Sequence, residues 1–408
     1  MINSKNMLGG RYIGEGTYGC IFRPNLPCPG YGPNEKYVSK IIKNDKETID
    51  SEFTNLHTKF NIPSIDPDNK YFIVPIHKCE IDDINEDDLK PSDQLLAKNR
   101  FNKGCSEEQI SRKFQKELAE SKDDRKKELL ARLNTVRTQL ILPYGGEDIS
   151  KIRKNDSPES KPNIDSIWPS YLNLIKGLVL LNKNNIIHRD IKSPNIVYND
   201  GTMKYIDMGL ALKMSDDYSD YNTTPYLYWP ADYMSATRDY YDNVLILSIY
   251  DSRVKKITKI IRGLFTDHNR NIDNETIIKS YTKYVYNGWI LDDNHKKYLM
   301  KTLLRFMINY RADEKYTESI VEKRTKETFD VFSLGAFFCE ELKKLPNDNS
   351  AFVANFKELA IKMTSFDPFE RPVPIELFKL FIKIIKNDIL DKSEHHTLNS
   401  HIEEVNSF

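Results

Sequence analysis

The residues best suited to chemistry sit in the stretch His188-Arg189-Asp190-Ile191-Lys192-Ser193-Pro194-Asn195 and, twelve residues after Asn195, in Asp207-Met208-Gly209. An aspartate such as Asp190 can orient a hydroxyl and take its proton. A second aspartate, Asp207, and the amide of Asn195 can hold magnesium through oxygen ligands. Lys192, two residues beyond Asp190, can follow negative charge that moves during group transfer. Two further features point to an anionic ligand. Gly14-Glu15-Gly16-Thr17-Tyr18-Gly19 spaces its glycines so that backbone N–H groups can approach phosphate oxygens with no Cβ in the way. Lys40 stands inside the apolar alternation Tyr37-Val38-Ser39-Lys40-Ile41-Ile42, where a surface lysine is not expected.

These residues need elements to hold them. An apolar, helix-like run from Ile167 to Leu181, within a long helix from Asp165, leads through the turn Asn182–Asn185 into the first stretch, and a short strand, Met203–Ile206, leads into the second. The glycines lie between strands at Arg11–Ile13 and Cys20–Phe22. A strand rather than a helix after them disfavours a dinucleotide-binding fingerprint. Arg23–Lys36 is a loop with four prolines and two glycines, and Tyr37–Ile42 is a strand. Asp45–Phe60 reads as a helix with Ile49, Phe53, Leu56 and Phe60 on its apolar face, and on periodicity alone Glu47 and Glu52 are solvated surface acids. Tyr71–Ile76 and His77–Ile81 read as strands broken at Pro75, and Thr138–Leu142 as a strand before the turn Pro143–Asp148.

Other segments carry no obvious chemistry. Asp82–Lys103 is polar and aperiodic, a flexible insertion. Ser106–Leu133 is a charged helix with a capping box at Ser106 and Gln109. Ser157–Asn163 is a polar loop; Val254–Phe265, Glu275–Tyr286 and His295–Ile308 read as helices, and Ser393–Phe408 as a disordered tail.

Composition narrows the class. Lys+Arg and Asp+Glu both number 60 among 408 residues, so no global charge draws the chain to nucleic acid or to an anionic membrane. The cysteines Cys20, Cys28, Cys79, Cys105 and Cys339 are scattered without a C-x-x-C pair, which suggests free thiols in a reducing compartment rather than a zinc site or disulfide framework. Residues 1–10 lack the apolar core of a signal peptide, and no apolar run approaches the roughly 18–20 residues of a membrane span. The expectation is a soluble, cytoplasmic protein.

Taken together, H-R-D-x-x-x-x-N at His188–Asn195, D-x-G at Asp207–Gly209, the glycine loop at Gly14–Gly19 and Lys40 resemble the motif set of eukaryotic-type protein kinases. Thr223-Thr224-Pro225-Tyr226-Leu227-Tyr228-Trp229-Pro230-Ala231-Asp232 resembles the end of their activation segment, Asp330-Val331-Phe332-Ser333-Leu334-Gly335 their D-V-W-S-L-G run, and Asp367-Pro368-Phe369-Glu370-Arg371-Pro372 their D-P-x-x-R-P turn. By motif the resemblance runs from Ile13 to Ile385, and the AT-rich-codon composition and divergence suggest a large DNA virus. It implies an α+β, two-lobed fold: a small β-rich lobe at 7–143 with one regulatory helix and an insertion at 82–134, a larger helical lobe at 144–390 with an insertion at 235–326, and a tail at 391–408.

The resemblance also implies roles. ATP would contact Ile13, Gly14, Glu15, Gly16, Thr17, Tyr18, Gly19, Cys20, Ile21, Val38, Lys40, Glu52, Leu142 and Tyr144, with Glu147 or Asp148 reaching the ribose. Lys40 would hold the α/β-phosphates, and Glu52, with Leu56 at i+4, is preferred over Glu47 as its partner. Asp207 and Asn195 would hold Mg²⁺, Asp190 would orient the substrate hydroxyl, and Lys192 would stabilise the moving phosphoryl. Lys192 and Thr224 match serine/threonine rather than tyrosine kinases. Arg189 can bind a phosphate on Ser215, Ser219 or Thr223, unless Asp216, Asp217 or Asp220 already supplies the charge. Two departures stand out: Trp229 replaces an alanine, and Ala231 replaces the glutamate that pairs with the arginine matching Arg371, so Arg371 needs Asp232 or another acid. The expected activity is transfer of the γ-phosphoryl of Mg·ATP to protein hydroxyls, with no nucleic-acid or membrane partner. The competing reading is a catalytically weak kinase-like nucleotide-binding or scaffold module, and a third is a kinase acting on small molecules or lipids.

Overall fold

The computed structural model describes residues 10–16, 19–43, 46–81, 137–155, 164–216, 228–230, 232, 289–312, 318–344 and 350–408. The insertion expected at 82–134, positions 235–288 and 313–317 of the insertion expected at 235–326, the loop at 157–163 and the helices expected at Ser106–Leu133, Val254–Phe265 and Glu275–Tyr286 lie outside these residues. The chain divides into two compact units, Met1–Gly146 with Ile206–Gly209, and Glu147–Tyr205 with Leu210–Phe408. The division falls three residues beyond the boundary expected at 143, and the short loop after Tyr205 belongs to the first unit.

The first unit is built on a five-stranded antiparallel sheet in the order β1 (Arg11–Gly16), β2 (Gly19–Arg23), β3 (Tyr37–Lys43), β5 (Arg137–Pro143), β4 (His77–Ile81). Side chains alternate between its faces. Cross-strand partners share a face, so Gly14, Ile21, Lys40 and Leu140 form one row and Val38 and Leu142 the next. On the other face lie Phe22, Ser39, Ile41, Gln139 and Ile141, all 1% exposed or less. That burial comes from the proline-rich loop between β2 and β3. Leu26 packs down at 3% exposure, its amide donates to Ser39 Oγ (2.7 Å), and its carbonyl accepts from Gln139 Nε2 (2.9 Å). Asn25 holds the loop together by donating to Gly32 O and accepting from the Asn34 amide. The loop is therefore a cover for half of the sheet, not a slack connection.

A disulfide joins this loop to the sheet edge: Cys28 is bonded to Cys79 of β4, 51 positions away, and Cys20 is disulfide-bonded as well. The expectation of free thiols is corrected on this point. Two cysteines far apart in sequence leave no spacing signature, and only the fold that brings the loop over β4 makes them neighbours. Cys339 is free and buried.

After β3 the chain turns through α1 (Lys46–Ile49), a π-helical turn (Asp50–Thr54) and α2 (Asn55–His57), which together replace the single helix expected over Asp45–Phe60. Leu56 and Phe60 are buried as periodicity requires. A short α3 (Ile62–Ile65) follows. Tyr71–Ile76 forms none of the named strands, in contrast to the sequence expectation. Its first residues are instead pinned by Asp66, whose carboxylate accepts the amides of Lys70, Tyr71 and Phe72 at 2.8–2.9 Å.

The second unit is mainly helical. A small sheet, β6 (Glu147–Asp148), β8 (Ile196–Asn199), β9 (Thr202–Tyr205), and a two-stranded pair, β7 (Ile186–Ile187) with β10 (Leu212–Lys213), carry its loops. Its helices are α4 (Ile149–Asn155), α5 (Ile164–Lys183), α6 (Asp293–Ala312), α7 (Glu318–Leu342), α8 (Ala351–Met363), α9 (Pro374–Asp388) and α10 (Thr397–Ser407). α7 is the axis. From Thr328 to Cys339 every side chain is buried, as expected of a helix surrounded by others. Gly335 allows α8 to close on it, since a Cβ there would stand 2.6 Å from Met363 Cβ. Tyr171 of α5, Phe338 of α7 and Phe356 of α8 pack ring to ring.

α10 corrects the expected disordered tail. Leu398 and Val405 are buried against the unit, and the ammonium of Lys176 on α5, itself 5% exposed, pairs with the Glu404 carboxylate beside His401 Nδ1 (3.3 Å). Lys183 donates to the Val405 carbonyl at the end of α10 (3.0 Å), where a cation suits the helix dipole. Among the described residues no helix is long and apolar enough to cross a membrane.

Candidate active site

In the first unit the candidate ligands collect on one face. Gly14, Ile21, Val38, Lys40 and Leu142 follow from the sheet register, while Ile13 sits at a register shift between β1 and β2. Glu15 and Gly16 lie in β1, and Thr17 and Tyr18 lie outside the described residues. Gly19 has a steric reason of its own: a Cβ there would come within 2.2 Å of the Ile41 carbonyl oxygen. Cys20 departs from its expected role, because alternation turns it to the covered face opposite Ile41 and its sulfur is in a disulfide. Tyr144 is gripped by the loop base: the Arg23 guanidinium lies 3.5 Å over its ring, and its amide donates to Lys36 O (2.8 Å).

Lys40 is the centre of this half. Its Nζ donates to Glu52 Oε2 at 2.6 Å and to Asp207 Oδ1 at 3.3 Å. Burial alone would favour the neutral amine, but the Asp207 and Glu52 carboxylates outweigh it and raise the Lys40 pKa above its ordinary value. Burial holds the Glu52 carboxyl above its ordinary value despite the ion pair with Lys40. Glu47, the alternative partner, is exposed, whereas the π-helical turn buries Glu52 at 4%. Asp207 adopts a left-handed backbone (φ 63°), an uncommon conformation for an aspartate that aims its carboxylate at Lys40. Gly209 makes room, since a Cβ there would stand 3.1 Å from Glu52 Oε1.

In the second unit the loop Ile187–Ile196 is held from three sides. Asp330 of α7 accepts the His188 amide (2.7 Å) and the Arg189 amide (2.9 Å), which fixes Arg189 in its left-handed conformation (φ 67°). Burial raises the Asp330 carboxyl to about 6, against the opposing pull of the two amides. Trp229 Nε1 donates to the Arg189 carbonyl (2.7 Å) from a pocket of Ile187, Leu212 and Phe329. Its indole also faces the Arg189 guanidinium at 5.1 Å. Trp229, a departure from the motif in sequence, is thus a fastening of the loop. Within the loop, Asp190 Oδ2 accepts from Lys192 Nζ (2.9 Å) and from Asn195 Nδ2 (2.7 Å). The Asn195 amide nitrogen also donates to Asp190 O (2.9 Å), so its carbonyl oxygen is the atom left for a cation. Leu142 and Tyr144 belong to the first unit. Glu147 is exposed in β6, and Asp148 accepts from Ser150 Oγ and the Lys151 amide.

The acid missing at Ala231 is supplied one residue later. Asp232 accepts both Arg371 Nη1 (2.7 Å) and Nη2 (2.5 Å) in a fork, with neither side chain exposed to solvent. Thr325 Oγ1 donates to the same carboxylate (2.7 Å), and Thr328 and the Ser365 carbonyl take further Arg371 donors. Ser215 is exposed after β10, while Asp217, Ser219, Asp220, Thr223, Thr224 and Ala231 lie outside the described residues.

Within the first unit, Asp207 offers a carboxylate that is 28% exposed at its side chain and Lys40 a fixed cation, groups that suit a metal ion and a phosphate. Within the second unit, Asn195 offers an amide oxygen. Asp330, Trp229, Ser333 and Asp232 all stand in motifs quoted from the sequence, Trp229 and Asp232 in Thr223–Asp232 and Asp330 and Ser333 in Asp330–Gly335. Asp232 is named there as a partner for Arg371, while Asp330, Trp229 and Ser333 carry no expected role at the loop.

A family model described as the protein kinase domain matches residues 140–247. Mitogen-activated protein kinase 12 of Mus musculus is 28% identical over 130 residues, which is 32% of this chain and 34% of the relative. Serine/threonine-protein kinase CLA4 of Candida albicans is 33% identical over 116 residues, 27% of this chain and 11% of the relative. CTD kinase subunit alpha of Saccharomyces cerevisiae is 28% identical over 153 residues, 37% and 28% respectively. The chain spans about a third or less of the length of these curated relatives.

Proposed function

We propose that this chain, a divergent member of the eukaryotic-type protein kinases, is a Mg·ATP-dependent serine/threonine protein kinase. The observation that carries the reading is the Lys40–Glu52–Asp207 cluster. Residues from β3, the π-helical turn and the loop after β9, the last 167 positions from Lys40, converge on one buried ammonium. Nothing in the hydrophobic core calls for such a cluster. Burying the Lys40 ammonium and the Glu52 carboxylate, beside the partly exposed Asp207, costs several kcal/mol per buried ion before their attraction is counted, an expense typical of functional sites.

When bound, Mg·ATP supplies the phosphoryl group and the positive charge that screens it. In this reading Lys40, held by Glu52, orients the α/β-phosphates. Asp207 and Asn195 supply the oxygens for the metal. Asp190 accepts the hydrogen bond of the substrate hydroxyl and receives its proton. Lys192, already paired with Asp190, shifts toward the charge of the transferred group. The preference for serine and threonine is supported by Lys192 two residues after Asp190 and by similarity to relatives named as serine/threonine kinases.

The test is transfer of label from radiolabelled ATP to a generic basic protein, with Asp190→Ala as the comparison. General-base and orienting roles predict a loss of about 10²–10⁴-fold in rate, with ATP binding retained. Wild-type protein that binds ATP but transfers no label favours the kinase-like binding module. Turnover unchanged in Asp190→Ala removes Asp190 from the chemistry.

A further inference from the structure

α7 carries three polar residues that the phosphotransfer reading does not use. Asp330, Ser333 and Glu340 are spaced three and seven residues apart, which places them along one side of the helix. Each grips a different point. Asp330 takes the His188 and Arg189 amides, as described. Ser333 Oγ donates to the Tyr228 carbonyl (2.7 Å). Glu340 does two things at once: one carboxylate oxygen accepts Ser193 Oγ (2.7 Å), and the other accepts the Tyr228 hydroxyl. The stripe spans about 15 Å of helix at 1.5 Å per residue, and α7 is buried on all sides along most of it. It is a rigid template.

The two groups joined by Glu340 belong to different segments. Ser193 follows Lys192 directly and opens the 3₁₀ turn Ser193–Asn195, which sets the Asn195 amide on Asp190. Tyr228 precedes Trp229, whose indole holds the Arg189 carbonyl. A carboxylate is the side chain suited to this junction, because its two oxygens accept two hydroxyls at once through charge-assisted bonds. A buried serine hydroxyl left without an acceptor would cost about 1–3 kcal/mol. Loss of the Glu340 carboxylate would remove this acceptor from Ser193 and from Tyr228 together.

We propose that Glu340 is a positioning residue for phosphoryl transfer, its shared carboxylate holding the Asp190–Asn195 loop in register with the segment Tyr228–Pro230. The kinetic part of this inference rests on the phosphotransfer reading; the structural part rests on the hydrogen bonds alone. Glu340 touches no reacting atom. It acts through Ser193 on Lys192 and Asn195, so its removal impairs turnover and leaves nucleotide affinity alone.

The experiment compares Glu340→Ala, Glu340→Leu and Glu340→Gln in the full chain. Three measurements are made: steady-state transfer to a basic protein, ATP affinity by displacement of a fluorescent nucleotide, and hydrogen exchange followed by mass spectrometry. Displacements of about 1 Å at a reacting group cost up to about 10²-fold, so Glu340→Ala and Glu340→Leu are expected to lose 10- to 100-fold in kcat with unchanged ATP affinity. Their 188–195 peptides exchange faster while the 196–205 peptides of β8 and β9 keep wild-type protection. Glu340→Gln, which can accept from one hydroxyl and donate to the other, recovers most of both signals. Wild-type exchange at 188–195 in Glu340→Leu overturns the inference, as does damage spread evenly over 188–205 or a glutamine variant as impaired as alanine. If the wild type transfers no label, the kinase reading fails on its own, and the exchange pattern still decides whether Glu340 holds the loop.

Discussion

Removing the Asp232 carboxylate should destabilise the second unit by about 3–5 kcal/mol, the range for breaking a buried ion pair from one side. Arg371 would keep two acceptors, Thr328 Oγ1 (3.0 Å) and the Ser365 carbonyl (2.9 Å), but lose both carboxylate oxygens. Its charge would then lie buried at 1% exposure with no counter-charge in the fork. Coulomb's law gives the same scale, about 4 kcal/mol for unit charges about 4 Å apart at an effective dielectric near 20. Domains carry about 5–15 kcal/mol in total, so Asp232→Ala should approach the limit of folding. Urea unfolding followed by tryptophan emission is a suitable assay, because Trp168, Trp229 and Trp289 all lie in this unit. Asp232→Ala, Arg371→Met and the double variant form a cycle. The reasoning requires the double variant to be less damaged than the sum of the singles by at least about 1 kcal/mol, since the second change removes the orphaned partner. Additive losses, or a loss below about 1 kcal/mol in Asp232→Ala, would show that Asp232 does not fill the place vacated at Ala231.

Three further outcomes can be checked. His295 is buried, its Nδ1 accepts the Leu291 amide (3.3 Å) and its Nε2 pairs with Thr364 Oγ1 (2.9 Å), so it is built for the neutral ring, and burial lowers its pKa from 6.5 to about 4. The folded pKa is depressed, so this contribution, about 3 kcal/mol by linkage, is present above pH 6.5 and lost as the pH falls through 4. Urea midpoints of His295→Gln should vary less than the wild type between pH 6.5 and 4, and a parallel pair of curves refutes the assignment. Reducing Cys28–Cys79, or replacing both residues by serine, should lower the stability of the first unit by about 2–4 kcal/mol, seen as faster exchange across β2–β3 and unchanged exchange in α7. Glu404→Ala should destabilise α5 and α10 by about 1–3 kcal/mol because it strands the Lys176 ammonium, whereas Lys176→Met should be neutral or stabilising; thermal denaturation of both variants separates the pair from mere helix packing.

The candidate site stood out in sequence where chemistry demands a residue type at a fixed spacing. Asp190, Lys192, Asn195 and Asp207 sit on turns whose lengths leave few alternatives, and Lys40 betrayed itself as a charge in an apolar strand. What could not be read was decided by register in space. Periodicity left Glu47 and Glu52 both open and only the family resemblance preferred Glu52; the π-helical turn, invisible to a 3.6-residue period, turns Glu52 inward to Lys40. Asp232 stands one place off the expected letter, yet a one-residue slip in a loop moves a carboxylate no farther than an arginine can follow. Trp229 read only as a departure from the motif because its partner, the Arg189 carbonyl, is 40 positions away. The far face of the sheet was hidden for a different reason: prolines and glycines announce a loop but say nothing of what it covers. α10 went unread because its buried contacts, Leu398 and Val405, are too few for a hydrophobic stripe, and its main anchor is a charge on another helix.

That last anchor also orders events in time. Lys176 is made early, on a helix whose other buried positions are mainly Leu and Ile, with Ser170, Tyr171 and Val179 among them, and its counter-charge Glu404 emerges 228 residues later. Until then the Glu404 carboxylate is missing from the buried end of Lys176, and the packing of α10 on α5 is incomplete. The second unit's final packing awaits a contact of very long sequence separation, the kind that slows folding and prolongs exposure of apolar surface. The contact between residues 401–404 and α5 thus joins two parts of the second unit that are made far apart in time.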